Sequence, residues 1–305
     1  MPAVIEIKNL TKFYGTVRGV EDVDLTVYQG EIFGFLGPNG AGKSTTLRVL
    51  VDMLRPTSGS VTVFGLDSRV DSIAIHRRIG YLPGELAMYD RMTARQMLGF
   101  FASIRGLEDL SEMHKLAERF DLDLDRPFRS YSSGNRQKVG LVQAFMATPE
   151  LVILDEPSSA LDPLMQQEFY ALLDEVKEAG RTVFLSSHVL PEVERVADRV
   201  AIIRRGRLVA TEHVADLKAR ARRSLDVTFE EAVPVEQFAG LSSVAEVHPL
   251  PDGRSLGFVV VGTMDELVKA LAQHRVRNVS SSNGNLEDVF LEFYADDSDG
   301  DTGVA

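Results

Sequence analysis

An α/β core built on a largely parallel sheet, followed by a smaller α+β module, is the architecture this 305-residue sequence predicts. Three observations carry that prediction. The short apolar runs Glu31–Leu36 and Leu151–Leu154 read as strands buried on both faces. Stretches with helical apolar spacing lie between such runs. Past residue 223 the order changes to strand, helix, two strands, helix, strand, which suggests a ferredoxin-like module.

Taken in order, Val4, Ile5 and Ile7 alternate with Glu6 and Lys8 like a half-buried strand, and Val23–Val27 forms a second. After a glycine-rich loop, Leu47, Leu50, Val51 and Leu54 predict a helix from Ser44 to Leu54, stopped by Pro56. Ile79–Pro83 is a strand, and residues 86–146 read mostly as helices, with Met97, Phe100, Phe101 and Ile104 expected on one apolar face. Asp162, Pro163 and Gly180 mark the cap, first position and end of a further helix. Arg181–Ser186 returns as a strand, and Val200–Ile203 with Leu208–Ala210 make a hairpin around Arg205-Gly206.

A boundary is expected near residues 215–223, where Lys218, Arg220, Arg222 and Arg223 cluster. The expected units are 1–217 and 224–294. In the second, Leu225–Phe229, Val244–Val247, Leu256–Val261 and Val276–Ser280 are strands, while Val235–Ala239, Met264–His274 and Leu286–Tyr294 are helices. The acidic tail 295–305 is expected to be disordered.

Composition narrows the function. The 33 Lys and Arg against 45 Asp and Glu leave a formal charge of −12, which argues against a general nucleic-acid binder. No cysteine is present, so disulfides, thiolate metal sites and a catalytic thiol are excluded. Neither a secretory signal nor a membrane-spanning run is visible, and a soluble intracellular protein is expected.

Two motifs carry chemistry. Gly37-Pro38-Asn39-Gly40-Ala41-Gly42-Lys43-Ser44, with Thr45 after it, matches a phosphate-binding loop. Glycines let backbone N–H groups curl around phosphates, and the helix that follows aims its positive end at them. Lys43 neutralises the outer phosphates, and the Ser44 hydroxyl suits Mg²⁺. Asp155 and Glu156 close the buried run Leu151–Leu154, at the strand end where ligands of parallel sheets bind. Asp155 suits the metal, and Glu156 suits a base polarising the attacking water.

A third segment, Tyr131-Ser132-Ser133-Gly134-Asn135, resembles the signature motif of ATP-binding-cassette (ABC) proteins. Read alone it is a helix cap. In company with the other motifs it is a second anion site, where Ser132, Ser133 and Gly134 grip a γ-phosphate. The resemblance covers roughly the first 215 residues as an ordered set. It places Tyr14 on the adenine, Asp162 in the loop that crosses a dimer interface, and His188 on the γ-phosphate. Three departures stand out: Ser133 stands where many members have the first glycine, Asn135 where they have glutamine, and Gly84 where the family usually has glutamine.

The resemblance implies an α/β P-loop ATPase core with an antiparallel β subdomain and a helical subdomain. It implies ATP and Mg²⁺, a second cassette closing head to tail, and a separate membrane permease docked around Glu85–Arg105. The chain would then lie at the cytoplasmic face of the cell membrane. One cassette followed by a small module resembles the drug- and antibiotic-exporter branch, as does Leu286–Leu291. Water is expected to take the coordination position that glutamine at 84 would otherwise serve.

Two other readings remain open at this point. A soluble cassette ATPase acting on DNA or ribosomes would carry long coiled coils or two cassettes, and the stretch from Ser44 to Tyr131 has neither the length nor the heptads. A regulator that binds ATP but barely hydrolyses it is suggested by Gly84 and opposed by Glu156 and His188.

Overall fold

The computed structural model describes residues 2–220, 223–261 and 263–282. Chain packing divides it into Met1–Glu212 and His213–Ala305, a little before the boundary expected from composition. The helix expected at Leu286–Tyr294 and the tail 295–305 lie outside the described residues.

In the first unit, the strands β1 (Ala3–Tyr14) and β2 (Val17–Tyr28) lead to β3 (Ile32–Leu36) and the helix α1 (Lys43–Leu50). The segments β4 (Ser58–Val63), β5 (Leu66–Asp67), α2 (Ser72–His76) and β6 (Ile79–Leu82) follow. Helices α3 (Ala94–Ile104), α4 (Ser111–Arg119) and α5 (Ser133–Phe145) make the helical part. The chain then alternates through β7 (Leu151–Asp155), α6 (Pro163–Glu178), β8 (Thr182–Ser187), α7 (Leu190–Val196), β9 (Arg199–Arg204) and β10 (Arg207–His213).

Two sheets result. One has the order β2-β1-β4-β5 and is antiparallel; the other runs β10-β9-β3-β8-β7-β6, parallel from β9 through β6. Strand alternation explains why the central runs are apolar throughout. Leu151 and Ile153 of β7 join Phe33, Phe35 and Phe184 in a core shared with the antiparallel sheet and α1. Val152 and Leu154 face the other way, into a core with Met97, Phe120, Val139, Phe145 and Phe169 from the helices. The functional edge of the sheet is thus clamped between two packed layers.

Several expectations need correction. Helix α1 stops at Leu50, not Leu54, because the chain turns at Val51 and Asp52 takes a left-handed φ of 53°. The face predicted for α3 is also rotated. Ala94, Met97, Leu98 and Ala102 are its buried residues, whereas Phe100 is 47% and Ile104 67% exposed. The spacing between Met97, Phe101 and Ile104 is helical, but the stripe runs beyond what the core covers. Helix α6 agrees with its predicted signals: Asp162 Oδ1 accepts from the Leu164 and Met165 N–H groups at 3.1 and 3.0 Å, and Gly180 has φ 72°.

The second unit opens with α8 (Val214–Arg220) and continues through β11 (Arg223–Phe229), β12 (Val244–Pro249), β13 (Ser255–Val260), α9 (Asp265–Leu271) and β14 (Val276–Ser282). Its sheet has the order β12-β13-β11-β14, every pair antiparallel, which is the ferredoxin-like arrangement. Phe229, Phe238 and Phe258 pack ring to ring at its centre. The first expected helix is only a 3₁₀ turn at Val235–Gln237, because Pro234 and Gly240 leave too few residues between them for a stable α-helix.

Candidate active site

The phosphate loop closes the gap between β3 and α1. Gly42 adopts φ 109°, and a side chain there would also meet Val20 and the Gly19 carbonyl within 2.6 Å. Only glycine fits. No side chain caps α1, so its first N–H groups remain available for an anion. Tyr14, Arg18, Gly19, Asn39, Gly40, Gly42, Lys43, Ser44, Thr45 and Glu156 line a cavity of about 320 Å³ over this helix end. The Tyr14 hydroxyl lies 3.3 Å from Thr45 Oγ1, and its ring is half-exposed at the cavity rim.

Lys43 is buried and folds back into the loop. Its Nζ donates to the Gly37 carbonyl at 2.6 Å and to the Pro38 carbonyl at 3.2 Å. It also stands 3.1 Å from Glu156 Oε1, an ion pair without hydrogen-bond alignment. The other carboxylate oxygen of Glu156 meets His188 Nδ1 at 2.7 Å. One carboxylate therefore bridges the cation of the loop and the histidine after β8.

Register puts these groups together. Asp155 pairs with Ser186 across β7 and β8, and the Ser186 hydroxyl donates to Asp155 Oδ1 at 2.6 Å. The next residue, Glu156, turns out of the strand at φ 52°, a conformation that costs a non-glycine residue energy. Its backbone is held there: Gln137 Nε2, reaching from α5, donates to the Glu156 and Pro157 carbonyls at 3.3 and 2.8 Å. Tyr81 of β6 is pushed up to about 12 by burial, with the Asp155 charge adding, so its phenol stays neutral.

Gly84 sits against the same carboxylate. A side chain at 84 would begin 3.1 Å from Asp155 Oδ2, tighter than a relaxed contact. Ser132, Ser133 and Gly134 are placed elsewhere. Ser132 caps α5 by accepting from the Asn135 N–H at 3.2 Å, Ser132 and Ser133 are exposed, and none of the three lines the cavity. Asp162 is engaged in capping α6. The structure therefore gathers Lys43, Asp155, Glu156 and His188 and leaves the signature segment apart from them.

Sequence reasoning passed over Gln137, Ser186 and Ser187, which hold the acids and the histidine in place. Ser186 and Ser187 were legible as polar residues ending an otherwise apolar strand. Gln137, inside a helix, gave no comparable signal.

The arrangement has known counterparts. The ABC transporter family model matches residues 20–159. The bacitracin transport ATP-binding protein BcrA of Bacillus licheniformis is 34% identical over 301 residues, covering 96% of this chain and 97% of that protein. This chain belongs to the ABC transporter ATP-binding family. A daunorubicin resistance ATP-binding protein, DrrA3 of Streptomyces coeruleorubidus, is 33% identical over 96% of both chains. Among solved structures, the ATP-binding subunit of an ABC transporter matches with a TM-score of 0.65 at 31% identity, covering 70% of this chain and 92% of that one. A dimeric cassette bound to ADP and phosphate, at 22% identity and TM-score 0.64, shares the fold. As an ABC ATP-binding subunit the chain binds and hydrolyses ATP, and such subunits work as dimers with membrane permease partners.

Proposed function

We propose that this cassette powers export of a small drug- or antibiotic-like molecule through a separate permease, with Glu156 as the base of hydrolysis. The relatives support the export half, since proteins named for bacitracin transport and daunorubicin resistance align over nearly their whole lengths. The observation that carries the chemical half is the Glu156 carboxylate held between Lys43 and His188 at the mouth of the loop cavity.

The chemistry follows from those contacts. Lys43 and the N–H groups of α1 receive the β- and γ-phosphates, and Tyr14 offers a ring to adenine. Glu156 polarises a water; the water oxygen bonds to the γ-phosphorus, its proton goes to Glu156, and the bond to ADP breaks. His188, already on Glu156, orients that carboxylate and reaches toward the γ-phosphate. The oxygen donors at Ser44 and Asp155 fit Mg²⁺, because Ser186 occupies only Oδ1 of Asp155 and leaves Oδ2 toward Gly84. Bound there, the ion would neutralise phosphate charge. With no side chain at Gly84, a water would serve the position next to it.

The signature residues Ser132, Ser133 and Gly134 act on the nucleotide of a second copy of the chain, closed head to tail, with Asp162 near that junction. Their separation from the cavity of their own chain supports this reading. The permease docks around Glu85–Arg105; only the end of that stretch, Ser103–Arg105, lines a groove of about 840 Å³, which Met53, Ile73, Ile79 and Tyr81 complete. Arg77 and Arg105 add positive charge there, and among the described residues the Arg105 guanidinium hydrogen-bonds the Ile79 carbonyl, at 2.8 Å. That surface fits an amphipathic cytoplasmic helix carrying a carboxylate. No helix among the described residues is long and apolar enough to cross a membrane, in keeping with a peripheral subunit at the cytoplasmic face of the membrane.

The test uses the absence of cysteine. Ile104→Cys supplies a single thiol for cross-linking to the co-expressed permease in membranes. A cross-link blocked by Arg77→Glu, with drug resistance lost in Glu156→Gln, is expected. Cross-linking only from the second unit, or resistance that persists in Glu156→Gln, would count against the proposal.

A further inference from the structure

Glu192 is a carboxylate that the hydrolysis chemistry leaves unused, and its surroundings are unusual. It lies in the first turn of α7 and is 3% exposed. Burial raises its pKa; hydrogen bonding from Ser158 and Ser187 pulls it back, the Glu156 charge raises it further and His188 lowers it. Its Oε2 accepts from the Ser187 hydroxyl at 2.5 Å. Its Oε1 is buried and has no hydrogen-bond partner among the described residues.

Ser187 connects this acid to the reaction centre. It pairs with Leu36 at the end of β3, and its carbonyl accepts from the Gly37 N–H, the first of the phosphate loop, at 3.2 Å. Its hydroxyl has one proton to give. With that proton on Glu192, a lone pair faces the Val189 N–H, which donates at 3.0 Å. His188 sits between two residues fixed in this way, and both its N–H and its Nδ1 lie on Glu156 Oε2, at 3.4 and 2.7 Å. Three consecutive residues thus each serve a different acid: Ser186 bonds Asp155, Ser187 bonds Glu192, and His188 bonds Glu156.

We propose that Glu192 is a positioning residue for hydrolysis, which sets the Ser187 hydroxyl and thereby the turn that holds His188 against Glu156. It touches neither nucleotide nor water and acts through His188, so the proposal rests on the role of His188 given above. Without Glu192 the Ser187 hydroxyl can rotate, Val189 N–H loses its fixed acceptor, and the imidazole loses its register with Glu156. Binding through Lys43 and α1 is expected to persist, because among the described residues the Ser187 hydroxyl bonds only Glu192 and the Val189 backbone.

Steady-state ATPase kinetics of the full chain, with the permease present, test this. Ser187→Ala and Glu192→Ala are expected to lower kcat by about 10- to 100-fold with KM for ATP nearly unchanged, the range for residues that orient a catalytic group. Glu192→Gln keeps an acceptor for Ser187 and is expected to stay within about threefold of the parent. In a His188→Ala background, Ser187→Ala should cost little more, because coupled residues are not additive. Should Glu192→Ala fail to fold, Ser187→Ala and Glu192→Gln give the answer alone. Unchanged kcat in Ser187→Ala, or full additivity with His188→Ala, would overturn the proposal. If His188→Ala itself kept full activity, the role of His188 would fail instead, a distinguishable result.

Discussion

The β7–β8 edge and the start of α5 are both anion sites by composition, yet they are built in opposite ways. At the edge, Lys43 and Asp155 are buried, Glu156 is partly buried and His188 is exposed, and each is hydrogen-bonded or ion-paired within the site. At α5, among the described residues, the Ser132 side chain bonds only within its own helix turn, and Ser133 stands exposed. One region gathers a cation, two acids and a histidine around a cavity; the other carries a capped helix start with exposed serines. The proposed site, assembled from two copies, would account for the contrast, the exposed half completing the buried half of its neighbour.

The largest expected effect strikes the buried region. Glu156→Gln preserves shape and ATP binding but lowers turnover by about 10²- to 10⁴-fold, measured as phosphate release against nucleotide affinity. Near-normal turnover would remove Glu156 from the chemistry. A smaller loss is expected at α5. Ser133→Asp puts a carboxylate in the first turn, where it favours the helix, so Tm should hold or rise slightly. The same charge repels a partner's γ-phosphate, and activity should fall about 10-fold or more. Equal loss of Tm and activity would mean that the segment is merely structural.

Gly84 sharpens the comparison from within the buried half. Gly84→Gln restores the family's usual residue, yet its Cβ would press on Asp155 Oδ2 at 3.1 Å. ATPase activity is therefore expected to fall severalfold, and a rise would show that the glutamine is simply missing here. The smallest effect concerns pH. Glu192 is buried beside Glu156, His188 and Tyr170, and its pKa is raised. Below the unfolded pKa both states are protonated; above it the unfolded carboxyl ionises first, so folding stability is lost as pH rises toward the raised folded value. The Tm of Glu192→Gln should accordingly improve relative to the parent between pH 4 and pH 7. An unchanged difference across that range would contradict the burial effect.

The fold was legible where local chemistry and tertiary structure agree. Glu31–Leu36 and Leu151–Leu154 are apolar because both faces of their sheet are covered, and periodicity alone exposes that. Asp162, Pro163 and Gly180 carry their end signals within the sequence. Phe100 and Ile104 misled because apolar spacing does not tell a buried face from an exposed one. In the site, the motifs gave Lys43, Asp155, Glu156 and His188, but not the bonds among them. The Glu156–His188 contact spans 32 positions and the Gln137 bonds about 20, distances no local pattern encodes.

Complementation between inactive copies tests the divided site most directly. Lys43→Ala disables the cavity and Ser133→Asp the exposed segment, so alone the first should be nearly inactive and the second should keep about a tenth of the parent activity or less. Mixed in equal amounts and exchanged, half of the dimers pair one variant with the other, and each such dimer has one intact site of two. ATPase activity is then expected to return to about a quarter of the parent value. No recovery on mixing, with exchange verified by a tag on one variant, would show that each chain completes its own site and would contradict the account.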